Sequence, residues 1–198
     1  MRIAKSLDTK LTIFRAAVDL LEEEDLDAIS IRGIAKRAEV SVGTFYYYFS
    51  TKYEVFGYAH IMMGDYMTST VEKNLPKTTT WDRLMFLFDQ YHNFIVKQTP
   101  KKLHQALCRL DPAVSQRGQD ETGLERIGQK LLDEGKEKNE VFSDKPSSDI
   151  SFFLMPCIRG FYRQYVIMDD RLDANRIITE YIPILVAIFV KKPDSPQI

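Results

Sequence analysis

The chain has 198 residues with a net charge of −1, and its 44% apolar and 12% aromatic content is enough to fill a core in one or two small domains and excludes a disordered chain. Its two cysteines, Cys108 and Cys157, stand far apart without metal spacing and read as reduced thiols. The N-terminus lacks the apolar core of a signal peptide and the longest apolar run, Tyr181–Val190, is too short to span a bilayer, so a cytoplasmic protein with no membrane partner is expected.

Residues 1–7 read as a short arm carrying Arg2 and Lys5, either frayed at the terminus or reaching a nucleic-acid minor groove or backbone. The first helix is expected from about Asp8 to Glu24, with Leu11, Phe14, Ala17, Val18 and Leu21 as its buried stripe and Lys10 and Arg15 solvated beside it. Glu22, Glu23, Glu24, Asp25 and Asp27 cluster at its end, which should therefore face away from any phosphate.

Ser30–Lys52, SIRGIAKRAEVSVGTFYYYFSTK, holds the densest local signals. Ser30 is a good N-cap for a helix with Ile31, Ile34, Ala35 and Ala38 at helical spacing. Ala38-Glu39-Val40 carries a turn, and Ser41 caps a second helix running to about Phe49. Helix, tight turn, helix is the plan of a helix-turn-helix, whose second helix enters the DNA major groove. At about 100° per residue, Phe45, Phe49 and Val42 share a narrow inward arc, while Gly43, Thr44 and Tyr47 fall opposite and Tyr46 and Tyr48 flank the arc. A small outward face with one phenol suits close approach to a groove, and the flanking tyrosines and Lys52 suit phosphates. From Ile29 to Tyr53, Arg32, Lys36, Arg37 and Lys52 against Glu39 leave a local charge of +3.

From Thr9 to about Val55 these residues resemble the TetR family of transcriptional regulators. The pattern is T-K-x-x-I-F-x-A-A-x-x-L-L at Thr9–Leu21, S-I-R-x-I-A-x-x-A at Ser30–Ala38 and V-S-x-G-T-F-Y-Y-Y-F-x-x-K at Val40–Lys52. Asp25 and Glu39 stand where glycine is common in the family; a glutamate in a left-handed turn costs on the order of 1 kcal/mol.

Thr51 and Glu54 form a capping box for a long helix from about Lys52 to Leu75, ended by Pro76 and the polar run Lys77–Thr80. The domain boundary is expected inside this helix. It separates a helix-turn-helix DNA-binding domain, 1–58, from a helical effector-binding and dimerisation domain, 59–198. Trp81–Gln98 is expected as an amphipathic helix with Leu84, Phe88, Tyr91 and Ile95 on one face, and Pro100–Leu110 as a shorter one. Ala113–Gly123 reads as a loop, Leu124–Lys138 as a charged, weakly amphipathic helix and Asn139–Ser148 as a connection. No segment alternates with period two, so the fold expected is all-α: an N-terminal three-helix bundle with its helix-turn-helix, followed by a C-terminal helical ligand-binding and dimerisation domain.

The last two helices, about Asp149–Asp169 and Asp173–Lys191, are apolar nearly all round, with Phe152, Phe153, Met155, Phe161, Ile177, Ile184 and Ile188 pointing in many directions. Such helices need a second partner surface, and the economical partner is another copy of the chain. A homodimer through about 149–191, with a four-helix seam, is expected. Pro156 should kink the first of them, and Gly160 should allow close helix approach.

A two-fold dimer presents two recognition helices and predicts a pseudo-palindromic double-stranded DNA operator with half-sites about 34 Å, or a multiple of one turn, apart. The contact candidates are Arg32, Ser41, Val42, Gly43, Thr44, Tyr46, Tyr47, Tyr48 and Lys52. The resemblance implies that Tyr46, Tyr48 and Lys52 hold phosphates, and that Val42, Thr44 and Tyr47 lie nearest base edges. It also implies a repressor released by an unidentified small-molecule effector in the helical body. Candidate lining residues are Trp81, Met85, Phe88, Tyr91, His92, His104, Cys108, Phe153, Cys157, Phe161, Tyr162 and Tyr165, each of which also fits an ordinary core. Arg109, Arg159 and Arg163 are candidates either to neutralise an acidic effector or to form ion pairs. His104 and Cys108, four residues apart, are half of a metal site with His92 as a third candidate; lacking a second close pair, neither a metal nor a cofactor is expected. Without G-x-S-x-G, a phosphate-binding glycine loop or H-E-x-x-H, an enzyme is not expected.

Overall fold

A computed structural model of the chain describes residues 2–110, 123–168 and 171–193, with side chains from residue 8 onward. Where an arm over 1–7 and a helix from Asp8 are expected, the backbone is already helical from Arg2, because nothing in 2–7 breaks the helix; the side chains of 1–7 and the loop from 113 to 122 lie outside the described residues. The helices are α1 (Arg2–Glu23), α2 (Ile31–Arg37), α3 (Val42–Tyr48), α4 (Lys52–Tyr66), α5 (Thr80–Asn93), α6 (Lys101–Cys108), α7 (Leu124–Glu137), α8 (Ser147–Ile167) and α9, which begins as Ala174–Arg176 and runs through a π turn, Ile177–Tyr181, into Ile182–Ala187. Among the described residues the only β pairing is an isolated antiparallel bridge between Val141 and Val190. The fold is all-α.

The described residues divide into two compact units, one from 2–62 with 99–110 and the other from 63–98 with 123 onward. In the first, α1 buries Ile13, Phe14, Ala16, Ala17, Leu20 and Leu21, while Leu11 and Val18 of the expected stripe sit half-buried at its edge. Ser30 Oγ accepts the Gly33 N–H at 3.0 Å and Ser41 Oγ the Thr44 N–H at 2.9 Å, so both short helices start from a serine cap. Helix α2 ends with the Glu39 N–H donating to the Lys36 carbonyl at 3.2 Å and the Val40 N–H donating to the Ala35 carbonyl at 3.0 Å. That paired closure needs a left-handed residue, and Glu39 supplies it at φ 55°. Asp25 has no such strain. At the start of α4, Thr51 Oγ1 accepts the Glu54 N–H at 3.1 Å, and the Glu54 carboxylate accepts the Ser50 N–H at 2.6 Å, one residue earlier than a standard box. Phe45, Phe49, Val55 and Phe56 close the core, joined by Leu103 and Ala106 of α6.

The second unit is built around Leu84, Leu87, Phe88, Leu131, Leu154, Ile158, Ile182 and Val186. Helix α4 continues here through a π turn, Met67–Val71, and a 3₁₀ turn, Glu72–Asn74; α5 continues through a second π turn, Phe94–Gln98. The π turn inside α9 directly precedes Ile182-Pro183, where the missing N–H and the proline ring disfavour an undisturbed α turn. Helix α7 corrects the expectation of weak amphipathicity. Leu124, Ile127, Gly128, Leu131, Leu132 and Gly135 form one clean buried face. A Cβ at Gly135 would lie 2.7 Å from Thr80 and 2.8 Å from Val141, so the glycine is what lets α7 approach there.

Helices α8 and α9 lie antiparallel, as the ring pairs Phe153–Phe189 (5.6 Å) and Phe161–Tyr181 (5.5 Å) show. Each buries one face, Ile150, Leu154, Ile158 and Val166 on α8 and Ile177, Ile182 and Val186 on α9, and leaves an apolar face in the open. Phe152 is 81% and Ile184 64% exposed, with Ile167 and Ile188 also outward. A Cβ on Gly160 would touch nothing within 4 Å, so inside the protomer its small size serves no helix contact. No helix among the described residues is long and apolar enough to cross a membrane.

Candidate nucleic-acid interface

Helix α3 turns Phe45 and Phe49 fully into the core of the first unit, as its periodicity requires. Val42, expected in the same arc, is instead 38% exposed: it is the first residue after the Ser41 cap, ahead of the turn that meets the core. Tyr47 is the most exposed tyrosine of the helix at 81%, Tyr46 follows at 56%, and Gly43 lies open beside them. The Tyr47 ring stands edge-on to Tyr48 at 4.9 Å, and Tyr46 edge-on to the buried Phe45 at 5.7 Å. Both phenols are thus solvent-facing yet braced from behind. Tyr48 is half-buried against the core, and the Thr44 hydroxyl shares a hydrogen bond with Ser41 Oγ at 2.8 Å. A Cβ on Gly43 would come no nearer than 3.6 Å to Ser41 Oγ, so the fold itself does not demand glycine there.

The cations divide into exposed and committed ones. Arg32 and Lys36 are exposed, with no ion-pair partner among the described residues. Arg37 grips Glu23 with two bonds, 3.0 and 2.6 Å, and its hydrogen bond holds the Glu23 carboxyl below the usual range. Lys52, a candidate to hold phosphate, is engaged within the first unit. Its ammonium donates to the carbonyls of Leu26 (2.8 Å), Asp27 (3.2 Å) and Ile29 (2.8 Å), which engages all three of its donors. The local +3 read from the sequence therefore overstates the charge offered outward. Lys10, expected to be merely solvated, sits over the rings of Phe49 and Tyr58 at 5.7 and 5.8 Å. At the acidic end of α1, Arg109 pairs with Asp27 at 2.6 Å and lowers its pKa, and Lys102 donates to the Glu22 carbonyl at 2.7 Å. These long-range pairings had no local signal in the sequence.

The effector candidates separate between the two units. His104 and Cys108 lie on α6 in the first unit, where His104 and the Thr99 hydroxyl share a bond at 2.5 Å. The other ten, His92 among them, belong to the second unit. Trp81, Phe88, Tyr91, His92 and Tyr162 are buried; Met85, Cys157, Phe161 and Tyr165 are half-buried; Phe153 is 44% exposed against Phe189. Within the buried group, His92 Nδ1 and the Tyr162 hydroxyl share a bond at 3.0 Å, and the Tyr91 and Tyr162 rings meet edge-on at 5.3 Å. Burial pushes the pKa of His92 down and those of both phenols up, with Arg159 opposing the shift at Tyr91. Arg159 pairs with Glu125, the ion-pair alternative of the two roles expected for it.

Residues 13–59 match the family model described as bacterial regulatory proteins, tetR family. Among solved structures, the chain resembles the repressor FadR of Thermus thermophilus in complex with lauroyl-CoA, at 19% identity and a TM-score of 0.71 over 94% of this chain and 98% of that one. FadR of Bacillus subtilis in complex with stearoyl-CoA gives 20% identity and a TM-score of 0.73, over 89% and 97%. The complex of SmeT, a Stenotrophomonas maltophilia repressor, with triclosan gives 14% identity and 0.73, over 95% and 96%. No curated protein matches the sequence. Residues 13–59 thus match the tetR family of bacterial regulatory proteins, and the likeness to the solved structures shows the fold of the chain.

Proposed function

We propose that the chain is a transcriptional repressor that binds a pseudo-palindromic operator as a homodimer and leaves it when a small-molecule effector enters the helical body. The observation that carries this reading is α3, a helix seated by Phe45 and Phe49 whose outer side is Gly43 and two braced, exposed tyrosines. Such a ridge fits a major groove. Val42, Thr44 and Tyr47 then face base edges, while Arg32, Ser41, Tyr46 and Tyr48 hold backbone. Lys52 contributes indirectly, by fixing the segment between α1 and α2.

The exposed apolar faces of α8 and α9 support the homodimer. An isolated chain gains nothing from solvating Phe152, Ile167, Ile184 and Ile188 together, and a second copy would remove them from water at about 25 cal/mol per Å². The open space beside Gly160 would admit a partner helix. Trp81, Phe88 and Tyr91, with His92 and Tyr162 as polar atoms, suit an effector with an apolar body, in keeping with the lauroyl-CoA, stearoyl-CoA and triclosan held by its fold relatives. A regulator of this kind works in the cytoplasm.

Selection of bound duplexes from a random DNA pool tests the reading. An enriched inverted repeat with half-sites about 34 Å or a multiple apart is expected. Addition of lauroyl-CoA or triclosan should then lower occupancy. A pool with no inverted repeat would contradict the proposal.

A further inference from the structure

We propose that the second unit carries, on its surface and apart from the buried aromatic group, a binding groove for a phosphate-bearing anion. The groove has a volume of about 410 Å³ and lies where the 3₁₀ end of α4, the segment 75–78, α5 and α7 come together. Its walls carry Lys77, Arg83, Lys130 and Lys138 against a single carboxylate, Glu72.

These cations play two roles. Glu72 accepts from Arg126 at 2.6 Å and from Lys130 at 3.2 Å, so its charge is already matched twice. Arg83 is held by Glu134 at 2.5 Å, with its side chain 13% exposed and its Nε–H buried and unbonded. Lys77 and Lys138, from different elements, are exposed and form no salt bridge among the described residues. Glu140 also lies within the field of Lys138 and Arg83, but its carboxylate is occupied by the Thr80 N–H and hydroxyl at 2.7 and 2.6 Å. With Arg126, Glu134 and Glu140 included, five cations face three carboxylates, in a chain whose overall charge is −1. Fixed ion pairs thus build the floor, and two uncommitted ammonium groups are left at the opening.

Compact ammonium charges suit phosphate oxygens, whereas Leu75 and Pro76 alone give too little apolar wall for a hydrocarbon body. The chemistry selected is therefore a phosphate or diphosphate, either free or at the end of a larger molecule. Such a site stands independently of gene control, because its readout is direct binding to the protein.

Calorimetric titration of the full chain with inorganic pyrophosphate and, separately, with coenzyme A tests it. Saturable binding that weakens with added salt is expected for at least one of them. The double variant Lys77→Gln/Lys138→Gln should lose about tenfold or more in affinity with an unchanged melting temperature, while Lys97→Gln should bind as the parent does. Coenzyme A binding more tightly than pyrophosphate, with the same loss in the variant, identifies a phosphate carried on a larger molecule; equal affinities identify the free anion. If the double variant misfolds, the single exposed change Lys77→Glu gives the same readout. Absence of saturable binding by either ligand, or unchanged affinity in the folded variant, overturns the proposal. So does a loss confined to non-specific DNA binding, which would make the groove a nucleic-acid surface.

Discussion

Replacing Lys52 by methionine removes the ammonium that donates to the Leu26, Asp27 and Ile29 carbonyls but keeps most of the aliphatic stem. A hydrogen bond to a charged group contributes about 1.5–3 kcal/mol when shielded. Here two of the acceptors are partly buried and the third is exposed, where water replaces the missing donor readily. The net loss should be about 2 kcal/mol, or about 4–8 °C in melting temperature for a chain of this size. Thermal unfolding followed by circular dichroism reads this directly, and anisotropy with labelled operator at several salt concentrations reads any effect on DNA binding. If Lys52 works from inside the protein, stability falls and the salt dependence of DNA binding barely changes. An unchanged melting temperature, together with a log–log salt slope reduced by about 1, would return Lys52 to the DNA backbone and refute the reasoning.

Glu39→Gly should raise the melting temperature by about 1–4 °C. Relief of a left-handed glutamate at φ 55° is worth about 1–2 kcal/mol, and the extra freedom of glycine in the unfolded chain returns about half of that. A lower melting temperature would show a different turn. Ile184→Glu, at a position 64% exposed in the protomer, should raise the dimer dissociation constant at least about 100-fold, read by sedimentation or light scattering, because it sets like charges across a two-fold seam. An unaltered dimer would move the seam elsewhere. The Glu72 carboxyl is held at about 2 instead of 4.5, chiefly by its hydrogen bond from Arg126. Its folded value lies below its unfolded one, so the stabilisation is full above pH 4.5 and is lost as pH falls towards 2. Glu72→Gln should therefore flatten the acid decline of stability in that window, and an identical decline would argue against the pairing.

The features visible in the sequence were those fixed over a few residues. Ser30 and Ser41 each cap a helix three residues on, and Phe45 and Phe49 recur at one helical turn, so the helix-turn-helix could be placed from spacing alone. Val42 escaped the same rule because the angle assigns a direction and says nothing about whether the core extends that far. The role of Lys52 was invisible for a different reason: its acceptors lie 23 to 26 residues earlier and are backbone atoms without side-chain identity. Helix α7 looked weakly amphipathic because Gly128 and Gly135 add nothing to an apolar count, yet both complete its buried face. That α6 packs Leu103 and Ala106 into the first unit's core has no local signal either, since those contacts are made across a long stretch of chain.

The outer ridge of α3 is the surface proposed to read DNA, and Tyr47 is its most exposed tyrosine. The direct measurement is operator affinity of Tyr47→Ala by fluorescence anisotropy, made on protein shown to be folded and of parental oligomeric state. Truncation takes one phenol out of each half-site, and its stacking and hydrogen bonding to a base edge go with it, so affinity should fall by at least about tenfold. Parental affinity in the folded variant would contradict the assignment of α3 as the recognition helix.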